Sequence, residues 1–403
     1  MTSFNLEPIN VASIEFAIII LAVMVVRQLF GSRSLPYSLG FMGLLVAVSW
    51  LDAKSAGVLL AALVPHYFIC RAIWGKPEKI SKAALLTAIG WQVLVLTSTK
   101  MAGLSQSWGI YGVIGLSYMT FRQIHLLLEA PRAKDEFHFI HWFSFIINPL
   151  TLVAGPIQTW REHTSQFSNQ TSSDGKARKR DFLSAGHMIT LGLIKITILA
   201  PIFAGQDDFA GLAASGGDWV DWVISYYSYY IFLFLDFSGY IDVVLGCGIL
   251  CGYTLPANFN RPYLATNFQD FWMRWNITLG TWFRAHVFTP TLIALQRSGR
   301  FAKPDHTIIV ALVLIFILIG IWHGLAWHFV LFGVIHAIGV TISHIQGRRK
   351  LKLKKAGKLR ELTGVTAIVA KGSQIFIFQT IIAGTFILLN NEVSLVWRAL
   401  FNG

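Results

Sequence analysis

The chain has 403 residues, of which 54% are hydrophobic and only 13% are charged, which is too little charge to cover the surface of a soluble protein. Mean hydropathy is +0.57. The net charge of +13 would suit a nucleic-acid-binding protein, but the basic residues lie in short clusters between apolar runs, which is typical of cytoplasmic loops in membrane proteins. The sequence therefore predicts an all-α integral membrane protein with about ten to eleven transmembrane helices.

Apolar runs follow one another along the chain, and each has about the 20 residues that a membrane-spanning helix needs. The first run has no basic segment before it, so we expect no cleavable signal peptide there. We predict spans near residues 11–30, 37–53, 56–74, 83–101, 107–128, 182–204, 222–252, 306–322, 326–345 and 372–391.

Charged loops predict the orientation of these spans. Arg27 and Arg33 follow the first span, which places that loop in the cytoplasm and the N-terminus outside. Alternation then places the other basic clusters in the cytoplasm: residues 76–82, 132–134, 176–180 and 348–360. The acidic loop with Asp207, Asp208, Asp218 and Asp221 falls outside, and so does the C-terminus.

Two stretches differ from ordinary spans. Residues 139–160 are apolar but interrupted by Asn148, Pro149, Gly155 and Pro156. Residues 258–304 mix aromatic side chains with Arg261, Asp270, Arg274, Arg284 and His286. Broken helices and charges at membrane depth persist where protein buries them or a wet cavity meets them. We therefore predict re-entrant or interfacial segments beside a cavity, with an amphipathic surface helix and a cytoplasmic loop as the alternative for the second stretch.

One histidine stands out as a candidate for chemistry. His323 lies in the sequence Gly320-Ile-Trp-His-Gly324, between two very apolar segments. A titratable side chain is costly there, so it is a functional candidate, and histidine is the commonest general base. The alternative is a core histidine that is hydrogen-bonded to a neighbouring helix.

Other kinds of site find little support. The chain has no G-x-S-x-G elbow, no H-E-x-x-H motif and no Walker lysine loop. Its three cysteines, Cys70, Cys247 and Cys251, cannot form a disulfide framework. His336 and His344 share a helix face, but no carboxylate or cysteine accompanies them at ligand spacing, so we predict no metal site and expect His336 to bond within the bundle.

A series of motifs resembles a known family. In chain order the motifs are Gly115–Phe121 (GLSYMTF), Leu152–Ile157 (LVAGPI), Leu235–Tyr240 (LDFSGY), Asn258–Tyr263 (NFNRPY), Asp270–Asn276 (DFWMRWN), Thr281–Arg284 (TWFR) and Trp322–Gly324 (WHG). The series is similar to that of the membrane-bound O-acyltransferase family, between its D-alanyl transfer type and its alginate or polysaccharide O-acetylation type. We accordingly expect one polytopic domain over residues 1–403, with core motifs in residues 111–346.

The resemblance implies a set of site residues. The two key polar positions of the family correspond to Asn276 and His323, which are therefore the predicted catalytic residues. Bacterial relatives usually have histidine in place of Asn276, so proton transfer is expected from His323 alone. Substrate or donor binding is expected from Trp322, Arg274, Trp275, Arg284 and Asp236.

The resemblance also implies the setting of the reaction. The fold would be a ring of helices around a central funnel in the bacterial inner membrane. An acyl-CoA or phosphopantetheine thioester would donate the acyl group from the cytoplasm, with no tightly bound cofactor. A hydroxyl of a cell-envelope glycan or polymer would receive it, with acetyl as the favoured group. Partners would be an extracytoplasmic esterase-like subunit, a cytoplasmic carrier protein and membrane lipids.

Three alternatives stay open at the level of sequence. One is D-alanyl transfer from a carrier protein to a teichoic-acid-like polymer. Another is a transporter that uses the same buried polar residues as a path, although no inverted repeat is visible. The last is a non-catalytic scaffold, in which the Trp322-His323-Gly324 segment would only pack.

Overall fold

The structure is a computed structural model that describes residues 13–49, 53–105, 115–167, 175–205, 216–301, 303–358 and 363–390. Within these ranges the regular secondary structure is helical, and no strand is assigned. The helices are α1 (Ile14–Phe30), α2 (Leu35–Ser49), α3 (Ala53–Ile73), α4 (Lys82–Ser105), α5 (Leu116–Glu129), α6 (Phe139–Ile146), α7 (Trp160–Thr164), α8 (Gly175–Ile194), α9 (Ala200–Phe203), α10 (Trp219–Cys251), α11 (Phe268–Trp272), α12 (Ile277–Phe283), α13 (Thr289–Arg297), α14 (Pro304–His323), α15 (Trp327–Lys355) and α16 (Gly364–Ile387).

Length and apolar composition identify the membrane-spanning helices. Within the described ranges, seven helical segments could cross a membrane: α3, α4, α8 with α9, α10, α14, α15 and α16. The prediction of an all-α integral membrane protein is therefore confirmed. The other three predicted runs are also helical, as α1, α2 and α5, but they have 17, 15 and 14 residues. Residues 107–114 of the predicted fifth run lie outside the described residues.

The described residues form two compact units, each with its own set of contacts. The N-terminal unit comprises residues 13–193 and 240–257, and the C-terminal unit comprises residues 194–239 and 258–390. The core of the N-terminal unit is built from apolar side chains of α3, α5 and α6, among them Leu126, Leu127, Trp142, Phe145 and Ile146. All seven predicted site residues belong to the C-terminal unit.

A buried arginine holds the broken segment of the N-terminal unit. After α6 the chain turns sharply and continues to α7, as the interruptions within residues 139–160 predicted. Arg122 of α5 is 2% exposed and donates to the Phe145 carbonyl at 2.9 Å and to Thr151 Oγ1 at 2.8 Å. Carbonyls freed by a break in a helix need such donors inside a membrane protein. The segment is therefore stabilised by burial within the unit.

Hydrogen bonds between α10 and α16 fix the start of the second unusual stretch. Tyr230 of α10 donates its hydroxyl to Gln379 Oε1 of α16 at 2.9 Å. Gln379 Nε2 donates to the carbonyls of Pro262 and Ala265 at 3.1 and 3.2 Å. A glutamine whose oxygen accepts from tyrosine has its amide nitrogen free to donate, so one side chain ties two helices to the loop that leads into α11.

Residues 258–304 fold as short helices, with α12 and α13 joined by the π-helix Arg284–Phe288. Phe271 is fully buried, and Trp275 is 5% exposed. The Trp272 ring packs against Phe316 of α14 at 5.2 Å and against His336 of α15 at 5.4 Å. The first part of the stretch therefore packs into its unit, and both the re-entrant placement and the amphipathic surface helix with a cytoplasmic loop stay predictions.

Candidate active site

His323 is the last residue of α14, at a sharp turn between two spans. The Gly324 N–H donates to the Gly320 carbonyl at 3.2 Å and ends the helix, and α15 begins at Trp327. The side chain is half-buried. A histidine on this turn sits at the end of a span that carries no charged residue between Ile308 and Trp322.

Close packing of α14 against α15 makes this turn rigid. A Cβ added to Gly320 would lie 2.4 Å from the Phe329 carbonyl oxygen, and one added to Gly333 would lie 2.4 Å from the Phe316 carbonyl oxygen. Only glycine fits at both positions, and small residues let helix backbones approach closely in membranes. The position of His323 is thus determined by the backbone of a tight helical hairpin.

Aromatic rings surround the His323 imidazole. Its ring centroid lies 4.6 Å from Trp322 and 5.6 Å from Phe332. Phe332 also contacts His336, at 4.1 Å, so one phenyl ring separates the two histidines. Apolar rings exclude water around a reacting group, and the accessible part of the imidazole can reach a ligand. This arrangement suits a group that exchanges a proton with a bound molecule.

His336, in contrast, uses both ring nitrogens for internal hydrogen bonds. Nδ1 accepts from Trp272 Nε1 at 3.1 Å, and Nε2 bonds to Thr385 Oγ1 at 3.1 Å. Because indole nitrogen only donates, Nδ1 must be the acceptor, and the proton is on Nε2. His336 is fully buried and links α11, α15 and α16. The expectation that His336 bonds within the bundle is confirmed.

His328 is also committed to a structural bond. It is 2% exposed, and its Nδ1 bonds to the Leu388 carbonyl at 2.7 Å, just after α16. A carbonyl oxygen accepts, so Nδ1 carries the proton. Within the ranges that the structure describes, no group of three or more histidine, cysteine, aspartate or glutamate side chains is placed to hold a metal ion.

Asn276 has an unusual backbone conformation and an unusual side chain. Its φ of 42° and ψ of 55° are left-handed, a region that asparagine tolerates better than most residues. The residue is 4% exposed, and its Oδ1 has no hydrogen-bond partner among the described residues. A buried unsatisfied oxygen costs about 1–3 kcal/mol. Such an oxygen is a candidate for a hydrogen bond to a ligand, which would offset this cost.

Asn258 caps the N-terminus of α12, a role that the side chain at position 276 would normally have. Asn276 is the N-cap of α12, where an asparagine side chain usually accepts from the first turn. Here Asn258 Oδ1 accepts from Thr278 N at 3.0 Å and from Thr278 Oγ1 at 2.8 Å. The Asn258 carbonyl accepts from Ile277 N at 3.0 Å. The helix is therefore capped from a distant loop, and the Asn276 amide is left over.

The predicted donor-binding residues lie in different environments. Arg274 Nε donates to Asp270 at 2.7 Å and its Nη1 to the Asn260 carbonyl at 3.3 Å, so its charge is partly satisfied. Trp275 is buried in an aromatic cluster and stacks on Phe271 at 5.5 Å, so it contributes to the core. Arg284 is exposed on the π-helix.

Asp236 and Trp322 are the two remaining predicted binding residues. Asp236 is half-buried on α10, and the described residues give its carboxylate no hydrogen bond or ion pair. Trp322 contacts His323 directly and is half-buried. The structure thus brings Trp322 to the candidate base. Arg274 is paired with Asp270, and Trp275 is buried. Binding roles for Asp236, Trp322 and Arg284 stay predictions.

Sequence reasoning missed Asn258 and Trp272 as site-forming residues. Both lie in motifs that were recognised, but their partners are 20 and 64 residues away. Trp272 donates a hydrogen bond to His336. Asn258 caps α12, so the Asn276 side chain is not used as the cap. The only available signal was that each stands beside a predicted site residue in an otherwise apolar motif.

These features define a class: a polytopic α-helical membrane protein in which a half-buried histidine ends one span. A short helix begins at an asparagine whose Oδ1 has no partner among the described residues. The profile of the membrane-bound O-acyltransferase family matches residues 72–354. The chain belongs to this family, and the resemblance seen in its motifs is confirmed. Membership supports the prediction of an O-acyltransferase.

Individual relatives cover the range of envelope acyltransferases. A peptidoglycan O-acetyltransferase of Helicobacter pylori is 31% identical over 72% of this chain and 61% of its own length. A teichoic acid D-alanyltransferase of Streptococcus thermophilus is 28% identical over 61% of this chain and 60% of its own length. A teichoic acid D-alanyltransferase of Lacticaseibacillus rhamnosus is 26% identical over 87% and 90%. The chain spans about three fifths of the length of the first two of these relatives.

Proposed function

We propose that the chain transfers an acyl group, with acetyl favoured, from a cytoplasmic thioester to a hydroxyl of an extracytoplasmic envelope glycan or polymer, or of a partner protein. Family membership supports the reaction type. The similarity to a peptidoglycan O-acetyltransferase and to a probable alginate O-acetylase of Azotobacter vinelandii supports acetyl transfer to a glycan. The donor would be an acyl-CoA or a phosphopantetheine thioester, and an extracytoplasmic esterase-like subunit would complete delivery.

The observation that carries the proposal is the contrast among the histidines of the hairpin. His328 and His336 are buried and held by internal hydrogen bonds, whereas His323 is half-buried beside two aromatic rings. A general base needs a ring nitrogen that can reach the proton it removes. Of the three histidines, His323 is the one whose side chain is partly accessible, and it stands in the Trp-His-Gly segment of the family.

The reaction follows from these groups. A ring nitrogen of His323 takes the proton of the acceptor hydroxyl while the hydroxyl oxygen attacks the thioester carbonyl. The carbon–sulfur bond then breaks, the carbonyl re-forms as an ester, and the imidazolium returns its proton to the leaving thiolate. Asn276 cannot take up a proton, so its amide orients the acceptor through the unpartnered Oδ1. The base contributes about 10² to 10⁴ in rate.

A second candidate is D-alanyl transfer from a carrier protein to a teichoic-acid-like polymer. The favouring observation is the Lacticaseibacillus rhamnosus relative, because the similarity covers 87% of this chain and 90% of that protein. Both candidates use the same base and the same thioester chemistry. They differ in the acid that alkali releases from the polymer, which is acetate in one case and D-alanine in the other.

The test compares ester-linked acyl groups in the envelope polymers of cells that carry the wild-type chain, His323→Ala or His187→Ala. Equal membrane abundance is verified for each. His187 is exposed on α8 and serves as the control. We expect His323→Ala to lose the ester by about 100-fold or more and the control to keep it. An unchanged ester content in His323→Ala would exclude histidine base catalysis and favour a scaffold or transporter.

A further inference from the structure

A polar cavity of about 360 Å³ lies within the N-terminal unit. Its walls come from the end of α1, from the α7 segment and from the loop after α10, and they include Arg27, Ser32, Gln158, Glu162, Gln166 and Gly252. In the predicted topology, the C-terminal ends of α1 and α10 both lie at the cytoplasmic side. The candidate active-site residues all belong to the other unit.

Arg27 is the cation of this cavity, and the residues that the structure describes offer it no ion pair. A Cβ added to Gly252 would lie 1.9 Å from Cζ and from Nη1 of Arg27, so the guanidinium rests directly on the glycine backbone. Gly252 also has a φ of +62°, which excludes most other residues. Arg27 Nε is buried, and the described residues offer it no hydrogen bond. A half-buried guanidinium in this state is costly unless a ligand satisfies it.

Internal hydrogen bonds hold the glutamine side chains and the loop after Gly252 that line one side of the cavity. Gln158 is 3% exposed, and its Nε2 donates to the Thr254 carbonyl at 3.0 Å while its Oε1 accepts from the Tyr253 hydroxyl at 2.6 Å. Gln166 Nε2 donates to the same carbonyl at 2.9 Å, and Gln166 Oε1 accepts from Thr254 N at 2.5 Å. Two glutamines thus clamp the loop that begins at Gly252. A rigid polar floor reduces the entropy cost of binding.

Deeper hydrogen bonds extend this clamp. Because the Tyr253 proton goes to Gln158, His163 Nδ1–H donates to the Tyr253 oxygen at 2.5 Å. His163 Nε2 bonds to Ser144 Oγ at 3.0 Å, and Ser144 Oγ also donates to the His141 carbonyl at 3.1 Å. Hydrogen bonds thus connect Ser144, His163, Tyr253 and Gln158 in sequence. The loop position that places Gly252 beneath Arg27 is therefore determined by the core.

Glu162 is the carboxylate of the cavity, and it is engaged elsewhere. Its Oε2 accepts from Thr159 N at 2.8 Å and from Thr159 Oγ1 at 3.0 Å, which completes a capping box at the start of α7. In the part of the chain that the structure describes, no ion pair joins Glu162 to Arg27. The guanidinium fork stays free for an anion, although the nearby negative charge weakens its attraction.

We propose that this cavity binds a phosphate group, with Arg27 as the anchoring side chain. The planar fork of arginine matches phosphate oxygens in a bidentate manner, and the hydrogen-bonded walls of the cavity hold the surrounding polar groups in place. The phosphate belongs either to a membrane phospholipid headgroup or to a soluble phosphorylated compound. The proposal does not depend on the proposed acyl transfer.

The test uses the full chain, purified in detergent and delipidated, with binding measured by native mass spectrometry and thermophoresis. The probes are phosphatidylglycerol, coenzyme A and diacylglycerol, which is a lipid without phosphate. We expect Arg27→Gln to weaken binding of a phosphorylated probe by about tenfold or more. Arg33→Gln, an exposed neighbour with the same change in charge, should stay within about twofold.

Two further variants sharpen the test. Glu162→Gln keeps the capping box and removes the negative charge, so it should tighten phosphate binding. Arg27→Lys keeps the positive charge but lacks the planar guanidinium. It should therefore weaken phosphate binding less than Arg27→Gln does. Arg27-dependent binding of phosphatidylglycerol alone assigns a lipid headgroup, and that of coenzyme A assigns a soluble ligand. Equal affinities of wild-type and the Arg27 variants for both phosphorylated probes, with no tightening in Glu162→Gln, overturn the proposal.

Discussion

The two units of this chain each contain a buried histidine that is held in the same way. In the N-terminal unit, His66 Nδ1 accepts from Trp142 Nε1 at 3.0 Å, and Nε2 donates to the Gln123 carbonyl at 3.0 Å. In the C-terminal unit, His336 Nδ1 accepts from Trp272, and Nε2 bonds to Thr385. Tryptophan on one nitrogen and oxygen on the other fixes the tautomer and satisfies the ring. Both histidines are structural.

Each unit also contains buried polar groups of two kinds, those with a hydrogen-bond partner and those without one. In the N-terminal unit, Arg122 and His163 have partners at hydrogen-bond distance, whereas Arg27 Nε has none among the described residues. In the C-terminal unit, both ring nitrogens of His336 are bonded, whereas Asn276 keeps a buried oxygen without a partner among the described residues. A fully satisfied polar group stabilises a fold, whereas an unsatisfied one indicates where a ligand binds.

The largest expected effect separates the two asparagines at the start of α12. Asn276→Gly keeps the left-handed backbone and removes the amide, so we expect acyl transfer to fall about tenfold to a hundredfold. Stability should change little, because the removed oxygen makes no bond in the fold. Asn258→Ala removes the cap instead and should lower the free energy of unfolding by about 1–2 kcal/mol.

Both variants are measured for ester formation and for thermal unfolding in the same detergent. The comparison between satisfied and unsatisfied groups requires opposite profiles, with activity lost in Asn276→Gly and stability lost in Asn258→Ala. Full activity in Asn276→Gly would show that its free oxygen has no role in the reaction.

The next effect concerns the rigid hairpin beneath His323. Gly333→Ala places a methyl group against the Phe316 carbonyl and should cost about 1–3 kcal/mol of stability by overpacking. Because the helices must separate, His323 moves and acyl transfer falls as well. Gly347→Ala in the same helix has open space around the added methyl and serves as the control. Unfolding in denaturant and ester formation are measured for both. Equal behaviour of the two variants would show that close packing does not hold the turn.

Much of the fold followed from periodic and apolar patterns. Within the described residues each of the ten apolar runs contains a helix, because apolar segments in a membrane must satisfy their backbone groups internally. His323 was singled out because a titratable group between two apolar segments is rare. The breaks within residues 139–160 and 258–304 were also visible, since proline, glycine and charges interrupt the pattern.

Long-range hydrogen bonds could not be predicted in the same way. Arg122 lies in an apolar run and is buried because a turn 23 to 29 residues later presents carbonyls and a hydroxyl to it. Asn258 caps α12 only because Asn276 adopts a left-handed conformation. The sequence shows neither the carbonyls that a broken helix releases nor the backbone conformation of one asparagine. Both depend on tertiary packing.

The smallest expected effect is the pH dependence of stability that comes from a hydrogen-bonded, buried histidine of the N-terminal unit. His163 lies outside the candidate spans, and burial lowers its pKa to about 3, with His141 and Arg122 as nearby groups that act on it. The unfolded chain takes up a proton below about pH 6.5, whereas the folded one stays neutral, so stability falls as pH drops from 6.5 toward 3. Between pH 7.5 and 5.5 this group alone should cost about 1.4 kcal/mol. Thermal unfolding of wild-type, His163→Gln and the exposed control His187→Gln at both pH values measures it. The loss should shrink by that amount in His163→Gln and persist in His187→Gln, and an identical loss in all three would mean that His163 does not remain neutral in the folded chain.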